Sequence, residues 1–225
     1  WNNLIKKHQV KTISKTQTAD YYIKNIENNV LAIQTPDGKS FKLTLKQHHK
    51  HQIDNILFSV ACASEVGASH ENIIDGYYNF NGVNGRFYLN EGINGSTVID
   101  DSYNANPSSM KLSLESLISM TGVAWFVMGD MGELGIQSQE FHSDLVLYAK
   151  KIGVKKLFYV GQHKELVLKS FGENSFCFKN KSRLIDALGT SLLLQSGKVH
   201  VADSQLFKID IAPSKVADFC FPFSC

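Results

Sequence analysis

Hydrophobic and polar positions fall into two regimes along the chain. From Tyr21 to Leu45, "YYIKNIENNVLAIQTPDGKSFKLTL" holds two β-rich runs separated by "TPDGKS". The Pro, Asp and Gly of that separator supply turn geometry, so a hairpin is predicted. In "QIDNILFSVACASEV", Ile53, Ile56, Leu57, Val60 and Ala61 share one helical stripe, and Gly67 follows as a left-handed cap. A second helix is predicted from about Glu71 to Phe80, with Ser69 as its N-cap. Then "GVNGRF" places two glycines among four residues, which marks a domain boundary close to Gly85.

Beyond that point strand and helix alternate. The short apolar runs "TVIDD", "AWFVMGD", "KLFYVG", "SFCF" and "KVHVA" are separated by helical patterns near Pro107–Met120, Gln139–Lys151, Lys164–Ser170 and Leu184–Leu194. Strands covered by helices on both faces read as continuous apolar runs, as "AWFVM" does. The prediction is therefore an α/β domain built on a doubly wound, mostly parallel, Rossmann-like sheet. Such sheets collect ligands at the carboxyl ends of their strands. Asp100 and Asp101 end the first of these strands, and Gly129 and Asp130 end the second.

Composition narrows the function classes. Lys plus Arg number 23 against 21 Asp plus Glu, which gives no electrostatic footprint for nucleic acid or an anionic membrane surface. No apolar run approaches the roughly 18 residues of a membrane span, and "WNNLIKKHQV" lacks the core of a signal peptide, so the start reads as arbitrary. Cys62, Cys177, Cys220 and Cys225 show no CxxC spacing, and two lie in segments that read as buried helix or strand. A reduced, cytoplasmic compartment is the expectation.

Candidate chemistry concentrates in a few places. In "VIDDSYNANPSSM", Asn106 before Pro107 suits an N-cap with proline in the first helical turn. Capping does not explain Asp100 and Asp101, because adjacent carboxylates repel and need solvent, a cation or donors. Two readings stay open: solvated turn acids, or a carboxylate that accepts from ribose hydroxyls. "MGDMGELG" matches neither GxGxxG nor GxxxxGK[ST], and its acids argue against direct phosphate binding. It is either a plain strand-to-helix connection or a shaped loop that closes over a ligand. His48, His49 and His51 lie close together without a second ligand cluster of zinc spacing, so no metal site is expected there. His51 and Asn55, four apart, would share one helical face and could present hydrogen-bonding groups to a base. His142 reads as a packed or surface histidine. Arg86, beside the glycines, is either a surface ion-pair partner or a cation placed for an anion at the domain junction.

These segments resemble the cytoplasmic Mur ligases. The resemblance rests on "VIDDSYNANPSSM" and on "FVMGDMGELGIQSQEFH", similar to a VLGDMxELGxxSxxxH stretch of the D-alanyl-D-alanine-adding branch. It is supported by "HQIDN" where the family has HNxxN and by the GR of "GVNGRF". It implies an ATP-dependent peptide ligase of peptidoglycan synthesis. In that reaction the carboxylate of UDP-MurNAc-tripeptide is phosphorylated and the acyl phosphate is then attacked by the amine of D-alanyl-D-alanine. It also implies residues 1–85 as the latter part of a central ATPase domain and 86–225 as a C-terminal Rossmann-like domain. Carried over, Asn55 and His51 contact adenine, Arg86 and Asp101 meet the ribose and phosphate side, and Tyr103, Asn104 and Asn106 shape the same edge. ATP and Mg2+ are the implied cofactors. The family's GKT phosphate loop, magnesium-binding acid and modified lysine would all lie upstream, and no GxxxxGK[ST] occurs in the chain. The chain alone is therefore expected to be inactive, and the missing N-terminal half of the ligase is an implied partner.

Two departures qualify the resemblance. Gln52 stands where the family has asparagine. In "VHVADSQLFKIDIAPSK", Ala202, Asp203 and Gln205 replace the family's Lys, Gly and Arg, and the tail "VADFCFPFSC" does not read as an amphipathic helix. A frameshifted end or a decayed copy is one expectation that follows. A non-catalytic remnant of such a ligase, and a folylpolyglutamate synthetase-like ligase, are the alternatives.

Overall fold

Asn28 and Asn29, both in left-handed conformation (φ 49° and 64°), break what reads in sequence as one long strand. A computed structural model of the chain describes residues 9–46, 52–103, 105–195 and 197–203. The chain divides into two compact units between Asn81 and Gly82. In the first, the strands are β1 (Ile13–Ser14), β2 (Tyr21–Glu27), β3 (Val30–Gln34) and β4 (Ser40–Thr44), hydrogen-bonded in that order. The predicted single hairpin is thus corrected to an antiparallel β2–β3–β4 meander with a short parallel β1 beside it. Glu27 pairs with Val30 across Asn28-Asn29, a two-residue loop with positive φ at both positions, which matches strand twist. Glycine tolerates that geometry better than asparagine does. Asn29→Gly is expected to raise the thermal stability of this unit by about 0.5 kcal/mol in a melting experiment.

Alternation places Tyr21, Ile23, Leu31, Ile33, Phe41 and Leu43 on one sheet face. They pack on Ile56, Leu57, Val60 and Ala61 of α1 (Ile53–Glu65) and on Ile73 of α2 (His70–Asn79). The α1 stripe is as its spacing predicts, and Gly67 has φ 90°. The Ser69 hydroxyl caps α2, accepting from the Asn72 amide. Cys62 corrects an expectation: it lies on the exposed side of α1, while Cys177 is half-buried.

In the second unit, β5 (Tyr88–Glu91), β6 (Thr97–Asp100), β7 (Val123–Gly129), β8 (Lys156–Val160), β9 (Ser175–Phe178) and β10 (Val199–Asp203) form one sheet of order β5-β6-β10-β7-β8-β9. All pairs are parallel except β5 with β6. Asp100 therefore ends the second strand of this unit rather than the first. The helices are α3 (Pro107–Ser119), α4 (Ser138–Ile152), α5 (Lys164–Phe171) and α6 (Lys181–Leu194). The chain steps from β6 through β7 and β8 to β9 in one direction, then returns through α6 to seat β10 between β6 and β7. Right-handed crossovers put helices of opposite travel on opposite faces. Accordingly Leu114, Leu117, Leu145, Val146 and Val167 pack with Phe126 and Met128, whereas Leu184, Leu188 and Leu192 pack with Trp125 and Val127. The run "AWFVM" is buried throughout because its alternate residues feed two cores.

Candidate functional site at the carboxyl edge of the sheet

The parallel strands β6, β7 and β8 end at one edge of the sheet, and two side-chain clusters sit there. The first forms around the end of β6. The Arg86 amide donates to the Val83 carbonyl (3.0 Å), closing a turn in which Gly85 takes φ 81°. Gly85 also accepts from the Tyr103 amide through its carbonyl (2.9 Å), and an added Cβ would lie 3.2 Å from that nitrogen. The glycine is thus a fixed part of the second unit, pressed against the strand-end loop, and the two units divide before it, between Asn81 and Gly82.

The adjacent carboxylates find donors inside the fold. Asp100, only 9% exposed, accepts from the Ser102 amide (3.1 Å) and hydroxyl (2.5 Å). Asp101 accepts from the Phe87 amide (3.0 Å) on one oxygen and from the Ser113 hydroxyl of α3 on the other. Phe87 itself takes φ 53°, so Asp101 ties a left-handed residue of the preceding loop to the following helix. Burial pushes the Asp101 carboxyl above its usual range, aided by the charge of Asp100; the two hydrogen bonds and Arg86 oppose that shift. Both hydrogen bonds to Asp100 fall on one of its oxygens, whereas Asp101 has one donor on each.

Arg86 makes a contact that neither of its sequence readings named. Its Cζ lies 4.0 Å from the centroid of the Tyr103 ring, a cation–π pair, with Arg86 and Tyr103 both exposed. Asn106 caps α3 as expected: its Oδ1 accepts from the Ser109 amide (2.9 Å), the Ser109 hydroxyl returns the bond in a capping box, and Pro107 opens the helix. Asn55 lies in the first unit, exposed on the first turn of α1, where its carbonyl accepts from the Ser59 hydroxyl (2.8 Å). His51 and Asn104, together with His48, His49 and the tail from Ser204 onward, lie outside the described residues.

The second cluster, at the ends of β7 and β8, is one that the sequence reading missed. Asp130 accepts from the Tyr159 hydroxyl and from the Gln162 amide (2.8 Å). Tyr159 in turn accepts from the His163 amide (3.0 Å), and burial together with Asp130 pushes its phenol upward. His142 is fully buried. Its Nδ1 bonds the Ser138 carbonyl (2.7 Å), and its Nε2 accepts from the Met131 amide (2.8 Å). Of the two readings of His142, packed or surface, the packed one holds, and the residue is in addition bonded through both ring nitrogens. The signal in sequence was the Ser138–His142 spacing of one helical turn behind "GDMGELG".

The ligand atoms of Asp130, His142 and His163 lie within 4.8 Å of one another, a separation that metal sites share. The hydrogen bonds decide otherwise. An imidazole nitrogen that accepts from an amide N–H has no lone pair left for a cation, and the 3.7 Å approach of Nε2 to Asp130 is not an ion pair for the same reason. Burial lowers the affinity of His142 for a proton, and nearby His163 lowers it further; the Ser138 carbonyl and Asp130 oppose this. A cleft of about 500 Å³ lined by Lys150, Lys155, Phe171 and Asn174 sits at the amino ends of β8 and β9, away from both clusters.

Residues 85–201, just over half of the chain, match the family model described as Mur ligase, glutamate ligase domain. The chain belongs to the Mur ligase family. It is similar to UDP-N-acetylmuramoyl-tripeptide–D-alanyl-D-alanine ligase of Escherichia coli K12, 29% identical over 222 residues, which is 96% of this chain and 47% of that protein. It also resembles the ligase of the same name from Mycobacterium tuberculosis H37Rv, 36% identical over 118 residues, covering 49% of this chain and 23% of that one. Among solved structures, MurF of Acinetobacter baumannii superposes with TM-score 0.79 at 25% identity, covering 97% of this chain and 48% of that one. MurF of Thermotoga maritima in complex with ADP shares the fold, with TM-score 0.67 at 21% identity over 92% of this chain and 47% of that one. This Mur ligase chain spans about half the length of its full-length curated relatives. Among its described residues no helix is long and apolar enough to cross a membrane.

Proposed function

We propose that the chain is the latter part of a cytoplasmic, ATP-dependent ligase that adds D-alanyl-D-alanine to UDP-MurNAc-tripeptide during peptidoglycan precursor synthesis. The supporting observation is that both loops carrying the resemblance, Val98–Met110 and Phe126–His142, meet the carboxyl edge of one parallel sheet. On this reading residues 1–85 belong to a central ATP-binding domain and 86–225 to the C-terminal domain. The exposed Arg86 guanidinium faces the phosphate side of the nucleotide, and the Tyr103 ring beneath it holds its orientation. Asn55 and His51 serve the adenine, and Asn104 and Asn106 border the ribose. Asp101 acts on the ribose only through lone pairs left over from Phe87 and Ser113. No step is assigned to Mg2+, whose ligands are expected in the portion of the family fold upstream.

Chemically, phosphorylation turns the tripeptide carboxylate into an acyl phosphate with a good leaving group, and the domains hold amine and carbonyl in line. This chain alone is expected to release no phosphate from ATP in the presence of both peptide substrates, because it has no GxxxxGK[ST] loop. Measured turnover would overturn that expectation. Nucleotide contact is tested by calorimetry with ADP: binding is expected in the range of ~1 mM, weakened about tenfold in Arg86→Ala. Equal ADP affinity in wild type and Arg86→Ala would overturn the placing of Arg86 on the phosphate side.

A further inference from the structure

The loop Asp130–Gly135 runs along the same edge and carries two residues in left-handed conformation, Glu133 (φ 59°) and Gly135 (φ 58°). Gly132, Glu133 and Ile136 are exposed, the last completely. Apolar anchorage of the loop comes from Met131, buried in the core of the second unit, and from Leu134, packed against that core. The Met131 amide ends on His142 Nε2, which adds a polar hold at the start of the loop. The loop's other end of the clamp is Asp130, held by Tyr159 and by the Gln162 amide from the next strand-end loop.

We propose that His142, as the neutral Nδ1–H tautomer, is a positioning residue that locks the Met131–Gly135 loop against the ligand edge of the sheet, and that protonating it releases the loop. What the loop closes over rests on the ligase reading, whereas the lock itself does not. The tautomer is dictated by the surroundings: the Ser138 carbonyl can only accept, so Nδ1 carries the proton, and the Met131 amide can only donate, so Nε2 carries the lone pair. A proton added at Nε2 would meet that amide head on. The titratable groups facing His142 among the described residues are Asp130 after β7, His163 at the head of α5 with its ring centroid 4.4 Å away, and Tyr159 of β8 through Asp130. Asp130 would attract the imidazolium and His163 would repel it when charged. Burial works against the charged form in either case, so release is expected below the ordinary histidine value of about 6.5.

The test is made on the 15N-labelled chain without nucleotide, so its outcome is independent of whether ADP binds. Two-bond couplings should identify Nε2 of His142 as the unprotonated nitrogen at pH 7.5, and Met131 amide exchange should quicken by about tenfold or more as His142 titrates. Two variants separate the two ring contacts. His142→Asn keeps a donor for the Ser138 carbonyl but cannot reach the Met131 amide, and it should lose that protection at every pH. His142→Gln reaches Met131 with its carbonyl oxygen, and it should retain protection while abolishing the pH dependence. Equal protection in wild type and His142→Asn, with circular dichroism unchanged, would overturn the lock. So would stoichiometric zinc binding that displaces the Met131 amide from Nε2, since the cluster would then be a metal site.

Discussion

Gly161→Ala is expected to lower the stability of the second unit by about 2–3 kcal/mol, because the added methyl has nowhere to go. A Cβ at Gly161 would land on the Asp130 carboxylate and on the Tyr159 hydroxyl, the two groups whose hydrogen bond joins the ends of β7 and β8. Neither can yield cheaply. Asp130 is also held by the Gln162 amide, and Tyr159 is fully buried and accepts from the His163 amide. The substitution should therefore break a network rather than displace one chain end. Urea unfolding followed by the emission of the fully buried Trp125, in a Trp1→Phe background, measures it. An effect under ~0.5 kcal/mol would mean that the two strand ends are not held by this pair.

Asp101→Ala is the second large effect, with an expected loss of about 1–3 kcal/mol, because it leaves the buried Phe87 amide and the Ser113 hydroxyl without their acceptor. Asp101→Asn should behave differently. The amide oxygen still accepts from Phe87, the Ser113 hydroxyl can turn to accept from the amide NH2, and the charge beside Asp100 is gone. The pH dependence follows from the direction of the shift. The folded carboxyl titrates above its unfolded value of about 3.9, so its contribution is fully present below that value and is lost as pH rises through the folded pKa. The Asn variant should thus gain on wild type as pH rises from 4 toward 7, and the Ala variant should lie below both at pH 7. Chemical denaturation of the three proteins at both pH values checks the order. If Asn destabilises as much as Ala, the hydrogen bonds are not what Asp101 supplies.

Legibility in the sequence followed the range of the interaction. Local signals survived folding intact: the Ile56–Ala61 stripe, the Ser69 cap, the Asn106-Pro107 helix start and the βα alternation after Gly82. Propensity misled where an asparagine pair turns the chain without any glycine, so β2 and β3 read as one strand. β5 escaped notice because "YLNE" is short and half polar, and only its pairing with β6 makes it a strand. The two strand-end acids were legible as an oddity that needed donors. The donors of Asp101 were not legible, because Phe87 and Ser113 come from 14 and 12 residues away, whereas Asp100 takes its own from Ser102, two residues on.

By itself the sequence determined the α/β class, the alternation of helices and strands after Gly82, and the two motif loops that carry the Mur ligase resemblance. Each of those depends on residues within a turn or a strand of one another. Only the tertiary structure decided that β10 is inserted between β6 and β7, because strand order depends on the direction and handedness of crossovers that periodicity does not record. It alone also joined Asp130, His142, Tyr159 and His163, which lie on four separate segments and meet because parallel strands bring their carboxyl ends to a common edge. A buried hydrogen bond is specified by where its two ends are brought, and for these residues that place is set by the whole sheet.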